Sequence, residues 1–325
     1  MRFLLDSEQR AFAASLDAML TAADTPRVIR DWSRGDHDSG RTLWHRVADA
    51  GVFALAVPET YEGMGPRPVE LAVAFVELGR HAVPGPLVET VAAATLLASL
   101  DDTGPAKRLL PALASGESTA TWATGPYALD ADMADVRLTL SGAELHLAPP
   151  PVGPPRASLD PARRLSHLPP GGELLAVGPQ VTAAAAHALT TARLTTAAQA
   201  LGAGLALLDM TVAHVKQRTQ FGAPIGSFQA VKHQLADAKL ALEFARPLLL
   251  GAALTMTPSD VAAAKVTACE AAYRTARTAL QLHGAIGYTA ECDLSLRLTK
   301  ARALRTAWGT PDECRATVLS DGRRR

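Results

Sequence analysis

One segment of the sequence combines a cation, aromatic rings and amides at short spacing. It runs from Arg218 to Gln229 and joins two stretches whose alanine- and leucine-rich pattern is typical of long helices. A guanidinium holds two phosphate oxygens with planar geometry, and aromatic faces and amides suit an adenine base. The segment therefore fits the pyrophosphate and adenine of a dinucleotide. The alternative is an ordinary turn between helices, in which Arg218 interacts with the helix dipole. The candidate side chains are Arg218, Gln220, Phe221, Phe228 and Gln229.

A second segment, from Gln281 to Thr289, places two glycines directly after a predicted helix. Gly284 and Gly287 lack side chains, so the backbone there can approach a ligand closely. The alternative is an ordinary glycine cap at the end of a helix. Because both segments occur in one chain, we interpret them together as parts of one binding surface, to which Gln281 also belongs.

Other kinds of chemistry are not indicated by the residue spacing. The histidines are scattered without the spacing of a zinc site, and no serine lies in a nucleophile elbow. Gly202-Ala203-Gly204 lacks the third glycine of a dinucleotide fingerprint and follows no strand, so it predicts close helix packing. The cysteines indicate a reducing compartment and predict neither a metal site nor a disulfide framework. They are Cys269, Cys292 and Cys314.

The elements that must position these segments are mostly helices. Residues 7 to about 117 have helical periodicity with short breaks, and four long helices are expected at roughly 183–217, 227–254, 258–283 and 292–307. Between these regions, Val136 to Leu140 alternates with period two and Leu145 to Leu147 continues after a glycine, which predicts a hairpin. Prolines after it predict that later strands are short or absent. We therefore expect a mostly α fold: an N-terminal helical domain (1–117), a reduced central β-domain (118–182) and a C-terminal four-helix bundle (183–325).

Charge and hydropathy exclude several classes of protein. The chain has 325 residues, with 32 Lys+Arg and 32 Asp+Glu, so it lacks the basic excess typical of a nucleic-acid binder. Asp209 and His214 interrupt the best candidate for a membrane-spanning run, and the N-terminus turns polar too early for a signal peptide. We therefore expect a soluble, cytoplasmic protein that binds neither nucleic acid nor membrane.

Several motifs resemble those of the acyl-CoA dehydrogenase family, over nearly the whole chain. They are Trp44…Ala50-Gly51, residues 58–65 and 77–80, the pattern Arg-x-x-Phe-Gly…Phe-Gln from Arg218, and the pattern Gln-x-x-Gly-Gly-x-Gly-Tyr from Gln281. The resemblance implies FAD as cofactor, an acyl-CoA or acyl-carrier thioester as substrate, and electron-transferring flavoprotein as acceptor. It also implies α,β-desaturation, in which a glutamate removes the α-proton and the β-hydrogen leaves as hydride to the flavin.

The resemblance also assigns a role to the two segments. In the family, they hold the pyrophosphate and adenosine of the FAD that belongs to the neighbouring subunit. One family glycine is replaced here by Ala285. The residues that inherit this role by motif match are Arg218, Gln220, Phe221, Phe228, Gln229, Gln281, Gly284 and Gly287.

The positions of the catalytic base depart from the family. Members place the glutamate 27 residues after the motif glutamine or 26 residues before the motif arginine; these positions are Trp308 and Ala192 here. Neither side chain can accept a proton. The segments that contact the flavin ring depart as well: they correspond to residues 124–130 and to His146-Leu147-Ala148, which lack most of the expected donors, and the β-domain is about half the usual length.

The simplest interpretation is a division of labour between two chains. The pattern resembles the short, base-lacking subunit of the α2β2 heterotetrameric acyl-CoA dehydrogenases with which actinobacteria degrade steroid side chains, a branch of lipid metabolism. The partner would be a longer subunit with the catalytic glutamate. One alternative is a self-sufficient homomeric flavoenzyme, either a dehydrogenase with Glu243 or Glu291 as displaced base or a monooxygenase. Another is a flavin-free scaffold.

Overall fold

The computed structural model describes residues 4–123 and 125–322; Thr124, which lies in one segment expected to contact the flavin, is outside this range. Within the described residues the protein is mostly helical with small sheets, which confirms the predicted fold class. The chain divides into two compact units. Unit 1 comprises residues 1–21, 72–83 and 193–325, and unit 2 comprises residues 22–71 and 84–192. Because this division interleaves segments of the chain, the domain boundaries expected near 117 and 182 stay predictions.

The helices follow the sequence periodicity closely. All four long C-terminal helices begin and end within about four residues of the predicted positions. The helices are α1 (Ser7–Thr21), α2 (Thr25–Ser33), α3 (Asp38–Asp49), α4 (Pro68–Arg80), α5 (Leu87–Ala98), α6 (Thr103–Ala114), α7 (Pro179–Gln217), α8 (Gln229–Thr255), α9 (Pro258–His283), α10 (Leu294–Leu304) and α11 (Pro311–Gly322).

The strands of unit 2 form two small sheets. They are β1 (Ala120–Ala123), β2 (Tyr127–Leu129), β3 (Val136–Ser141), β4 (Glu144–Leu147), β5 (Leu165–His167) and β6 (Glu173–Val177). β1, β3, β4 and β6 make a four-stranded sheet in that order, in which β1 and β3 are parallel, and β2 pairs with β5. The predicted hairpin is confirmed: β3 and β4 pair with Leu138 opposite Leu147, around a turn in which Gly142 has φ 61°. In unit 1, β7 (Thr219–Gln220) and β8 (Ala223–Pro224) form a separate short pair.

The core of unit 2 forms around α5, of which residues 87–97 are all buried. The hydroxyl of Thr90 donates to the carbonyl oxygen of Ala120 at 2.9 Å and so ties α5 to β1. Trp44 donates its indole N–H to the carbonyl oxygen of Gly116 at 3.1 Å and stacks on Phe53. Thr90 thus fixes the sheet to the helical layer and Trp44 fixes α3 to the loop before β1, each through a buried polar group that has a hydrogen-bond partner.

The core of unit 1 forms where α7 passes its neighbours with small residues. A Cβ atom at Gly202 would lie 1.9 Å from the carbonyl oxygen of Val76 in α4, and one at Gly204 would lie 2.6 Å from the side chain of Leu242 in α8. Gly202-Ala203-Gly204 therefore serves close helix packing, as predicted.

The apolar character of α7 has the same origin. The expectation that Asp209 and His214 interrupt any membrane-spanning run is not met. α7 contains an 18-residue window that is long and apolar enough to span a membrane by length and composition. However, 72% of that window is buried inside the protein. The core helix of a globular protein has the same composition, because it is surrounded by other elements.

Candidate functional site

The first candidate segment forms a tight hairpin directly after α7. β7 and β8 pair with Thr219 opposite Pro224 and Gln220 opposite Ala223, and the amide of Ile225 donates to the carbonyl oxygen of Arg218 at 2.8 Å. These contacts hold Arg218 at the base of the hairpin. α8 begins immediately after it, at Gln229.

Phe221 occupies the tip of this hairpin in a strained conformation. Phe221 and Gly222 have φ angles of 53° and 79°, as a two-residue hairpin of this twist requires. Glycine adopts such angles without cost, but a bulky aromatic residue rarely does. The side chain of Phe221 is nevertheless 92% exposed, and its ring meets only the edge of Phe228, at a centroid distance of 6.3 Å. Strain without burial is typical of a residue whose partner is a ligand or another chain.

The second candidate segment caps α9. Gly284 has φ 64° and ψ −139°, and its amide donates to the carbonyl oxygens of Gln281 and Leu280. A Cβ atom at Gly284 would meet nothing within 4 Å, so the backbone angle, rather than space, favours glycine there. Gly287 is buried, and a Cβ atom there would lie 3.2 Å from the side chains of His283 and Leu280. Among the predicted site residues, Gly287 alone is buried; the others are exposed.

Two histidines join the ends of α7 and α9. His214 lies in the last turn of α7 and His283 is the last residue of α9. Their rings stack with centroids 4.1 Å apart and planes inclined by 19°. The structure therefore brings together the helix ends from which both candidate segments start. Sequence reasoning missed both residues, although His283 lies inside the motif that begins at Gln281.

The donors at these helix ends suit an anionic dinucleotide. Arg218 is exposed, and none of the carboxylates in the described parts of the chain forms an ion pair with it. The two segments also expose aromatic and apolar side chains of their own: Phe221, Phe228, Ile286 and Tyr288. An unpaired guanidinium beside exposed rings fits a pyrophosphate attached to an adenine. The tail of FAD therefore fits the residues that are present.

The two positions at which a family base is expected carry no acid. Ala192 is fully buried in α7, and Trp308 lies in the connection between α10 and α11 with φ 57°. Arg193 donates its Nε–H to the carbonyl oxygen of Trp308 at 3.1 Å. The ammonium of the buried Lys265 donates to the carbonyl oxygens of Gly309 at 2.7 Å and Arg305 at 3.4 Å. Two cations thus hold the backbone of this connection.

The segments expected to contact the flavin ring pack against each other in unit 2. Ala128 and Ala131 come from one segment and Ala148 from the other, and all three lie in one buried apolar cluster with Ala123 and Leu168. Ala148 also donates its amide to the carbonyl oxygen of Arg137 at 2.7 Å. Small side chains fill this part of both segments, and the side chains of this cluster offer no hydrogen-bond donor to a flavin ring.

Asp130 is a third residue that sequence reasoning did not single out for its chemistry. Its carboxyl group is completely buried, which raises its pKa to about 8. The indole N–H of Trp32 opposes this rise and Glu89 adds to it. Within the described residues, neither oxygen of Asp130 accepts a hydrogen bond of ordinary geometry. Burial therefore favours the protonated form of Asp130 in the folded protein, because desolvation penalises the charged form more than Trp32 and Arg163 stabilise it.

Of the alternative bases, Glu243 faces an arginine and Glu291 is exposed, and a further acidic cluster lies in an ion-pair network. Glu243 is half exposed with its carboxylate 3.9 Å from Nε of Arg246, and Glu291 is exposed. The ligand atoms of Asp17, Glu77 and His81 lie within 4.8 Å of one another. Nε2 of His81 already pairs with Asp17 at 2.8 Å, and Glu77 faces Arg80 at 3.6 Å. Burial raises the pKa of Glu77 to about 7. We interpret this cluster as an ion-pair network.

The chain matches known proteins over its whole length. Residues 6–117 match the acyl-CoA dehydrogenase N-terminal domain and residues 182–320 the C-terminal domain. Acyl-CoA dehydrogenase IpdE2 from Mycobacterium tuberculosis is 33% identical over 94% of this chain and 95% of its own; IpdE2 from Mycolicibacterium smegmatis is 31% identical over 95% and 97%.

Solved structures share the fold. A chain of the ChsE4-ChsE5 complex from Mycobacterium tuberculosis is 25% identical, with a TM-score of 0.83 over 99% of this chain and 98% of its own. A chain in a variant of the Tcur3481-Tcur3483 steroid ACAD is 24% identical, with a TM-score of 0.82 over 98% and 99%.

Motifs, fold and relatives thus agree over both terminal regions. The identity to the IpdE2 proteins extends over nearly the full length of both chains. The chain belongs to the acyl-CoA dehydrogenase family of flavoprotein oxidoreductases.

Proposed function

We propose that this chain is the non-catalytic, FAD-completing subunit of a heteromeric acyl-CoA dehydrogenase. Its helix ends hold the pyrophosphate and adenosine of an FAD whose flavin ring lies in a longer partner subunit. That subunit also carries the catalytic glutamate. FAD, when bound, supplies the hydride acceptor for α,β-desaturation of an acyl thioester. The isolated chain does not catalyse this reaction.

The observation that carries this proposal is a contrast between two regions. The hairpin after α7 presents Arg218 and the strained, 92% exposed Phe221, whose ring contacts that of Phe228 alone among the described residues. The positions of the base and of the flavin-ring contacts are instead occupied by Trp308, Ala192 and a cluster of small buried side chains. A chain that exposes Arg218 beside aromatic rings and carries no acid at either family base position fits a role in completing another subunit's site.

An exposed apolar stripe on α8 supports association with another chain. Leu240, Phe244 and Leu248 are spaced by four residues, so they lie on one face of the helix. All three are exposed, Phe244 by 69%. Contiguous exposed apolar side chains mark interaction surfaces, because leaving them in water forgoes about 25 cal/mol per Å². We infer that the partner subunit covers this stripe.

The substrate is an acyl thioester attached to CoA or to a carrier protein. We extend the proposal to a CoA ester of a steroid side chain, with electron-transferring flavoprotein as the acceptor and the cytoplasm as the compartment. The likeness to the Tcur3481-Tcur3483 steroid ACAD supports the steroid substrate, and the likeness to the ChsE4-ChsE5 complex supports a heteromeric assembly. An acyl group on a carrier protein is the alternative substrate, which a panel of both thioesters distinguishes.

The test is co-expression with a longer acyl-CoA dehydrogenase subunit encoded nearby, followed by flavin quantification. We expect the chain alone to purify colourless and inactive, and the complex to contain FAD and to turn over. Stoichiometric FAD with turnover in the pure chain would instead establish a homomeric enzyme. A stable complex in which removal of this chain changes neither flavin content nor activity would establish a scaffold.

A further inference from the structure

The stacked pair His214–His283 occupies the junction between the two segments of the proposed FAD site. Arg218 follows His214 by one helical turn, and the amide of Arg218 donates to the carbonyl oxygen of His214 at 2.9 Å. His283 lies between Gln281 and Gly284 in the other segment. Both imidazoles are only partly buried, so protons and small anions can reach them. No step in the proposed division of labour uses these side chains.

The hydrogen bond of His283 determines which of its nitrogens is free. Its Nδ1 lies 2.8 Å from the carbonyl oxygen of Ala279. A carbonyl oxygen only accepts, so Nδ1 must carry the hydrogen of the neutral ring. Nε2 therefore holds a lone pair in the neutral protein, and a proton taken up by His283 binds there.

The electrostatic surroundings of His214 contain cations only. Burial, His283 from α9 and Arg218 from the segment after α7 all lower the pKa of His214, and no carboxylate contributes. His214, stacked on another imidazole beside a guanidinium, therefore loses its proton readily in the free protein, since a second positive charge is repelled. An anion beside Arg218 would reverse this balance, because it would attract each charge that the cluster now repels.

We propose that His214 and His283 extend the phosphate site of Arg218, and that the pair takes up one proton when the pyrophosphate of a dinucleotide binds there, so that the site then holds two cations. The inference rests on the proposed function, since it names two further residues of the same site. The incoming proton comes from solvent. Binding must then tighten as the pH falls, by up to tenfold per pH unit in the range where only the complex holds the proton.

The test uses ADP-ribose, which contains the pyrophosphate diester of FAD but no phosphate that titrates near neutral pH and no flavin ring. Binding to the full chain is followed by NMR of ¹³C-labelled histidine and by calorimetry at about pH 6 and about pH 8. We expect ADP-ribose to raise the pKa of His214 and to bind about tenfold more tightly at the lower pH. The heat of binding should change with the ionisation enthalpy of the buffer.

The matched variants are His283→Phe and His214→Phe, which keep an aromatic ring for stacking but cannot take up a proton at that position. We expect each to bind ADP-ribose with a weakened pH dependence, while circular dichroism shows an unchanged fold. If wild-type protein binds ADP-ribose without proton uptake, or if both variants retain it, the histidines serve packing only and the inference is wrong, while the proposed function stands. If ADP-ribose perturbs no signal from either segment at any pH, the assignment of Arg218 and its neighbours to a phosphate site is wrong, and the inference fails with it.

Discussion

Arg193 donates its Nε–H to the carbonyl oxygen of Trp308 at 3.1 Å, next to the two positions from which family members supply a catalytic base. With Lys265, whose ammonium donates to Gly309 at 2.7 Å, it holds the backbone of residues 305–310 in place. The connection is therefore well formed although it carries no acid. This bears on whether a single substitution can restore catalysis.

We expect Trp308→Glu to leave the isolated chain inactive. A positioned base contributes about 10²–10⁴-fold, but it acts only on a substrate held against an oriented hydride acceptor. The cluster around Ala128 and Ala148 offers no such pocket. The measurement is ferrocenium reduction with an acyl-CoA panel, with Trp308→Gln as the control for loss of the indole. Robust turnover by the glutamate variant alone would mean that a flavin-ring pocket is present.

Arg218→Ala should lower the FAD content of the complex but leave assembly intact. A charge-assisted hydrogen bond contributes about 1.5–3 kcal/mol, so FAD should bind roughly ten- to a hundredfold more weakly. Arg218→Lys should be intermediate, because it keeps the charge and loses the planar fork. Size-exclusion chromatography with flavin and protein absorbance separates the two effects. Full flavin content in the alanine variant at low micromolar concentration would reduce Arg218 to a structural helix end.

A complementary substitution in the apolar stripe of α8 tests assembly with the partner subunit. Phe244→Glu places a charge in the apolar stripe and should prevent assembly with the partner, because an unpaired charge would be buried at the interface. Phe244→Leu keeps the surface apolar and should assemble. Since Phe244 is 69% exposed, neither variant should change the melting temperature of the isolated chain appreciably. Assembly of Phe244→Glu at wild-type affinity would place the partner elsewhere.

The sequence predicted the helices and the hairpin, because periods of 3.6 and 2 are visible in the pattern itself. It also assigns Arg218 and its neighbours to the FAD tail, and this assignment stays a prediction. Three features of the structure were not predicted. The His214–His283 stack requires two helix ends to be adjacent, which no local pattern encodes. The turn at Phe221 was hidden because Phe-Gly lacks the usual residues of a left-handed hairpin. The surroundings of the buried Asp130 include Trp32 and Glu89, which are distant from it in the sequence.

Gly202→Ala should destabilise the protein. The added methyl group would lie 1.9 Å from the carbonyl oxygen of Val76, and both atoms belong to packed helix backbones that cannot move independently. Overpacking costs about 1–3 kcal/mol and should exceed the gain of about 1 kcal/mol from helix propensity. Gly125→Ala is the control, since a Cβ atom there meets nothing within 4 Å. Urea denaturation of both variants measures the difference; equal midpoints would show that α4 and α7 can separate without cost.

The last prediction concerns the pH dependence of stability. Burial raises the pKa of Asp130 from 3.8 to about 8, so the folded protein keeps a proton that the unfolded chain has already lost. The contribution of this group to the free energy of unfolding is complete below about pH 4 and decreases as the pH rises to about 8, by about 1.4 kcal/mol for each unit in which only the folded state is protonated. Asp130→Asn removes the titration while nearly preserving shape. We expect its stability relative to wild type to increase between pH 5 and pH 8, measured by urea denaturation at both values. Parallel pH profiles of the two proteins would show that Asp130 is ionised in the folded state and that Trp32 or Arg163 compensates its charge.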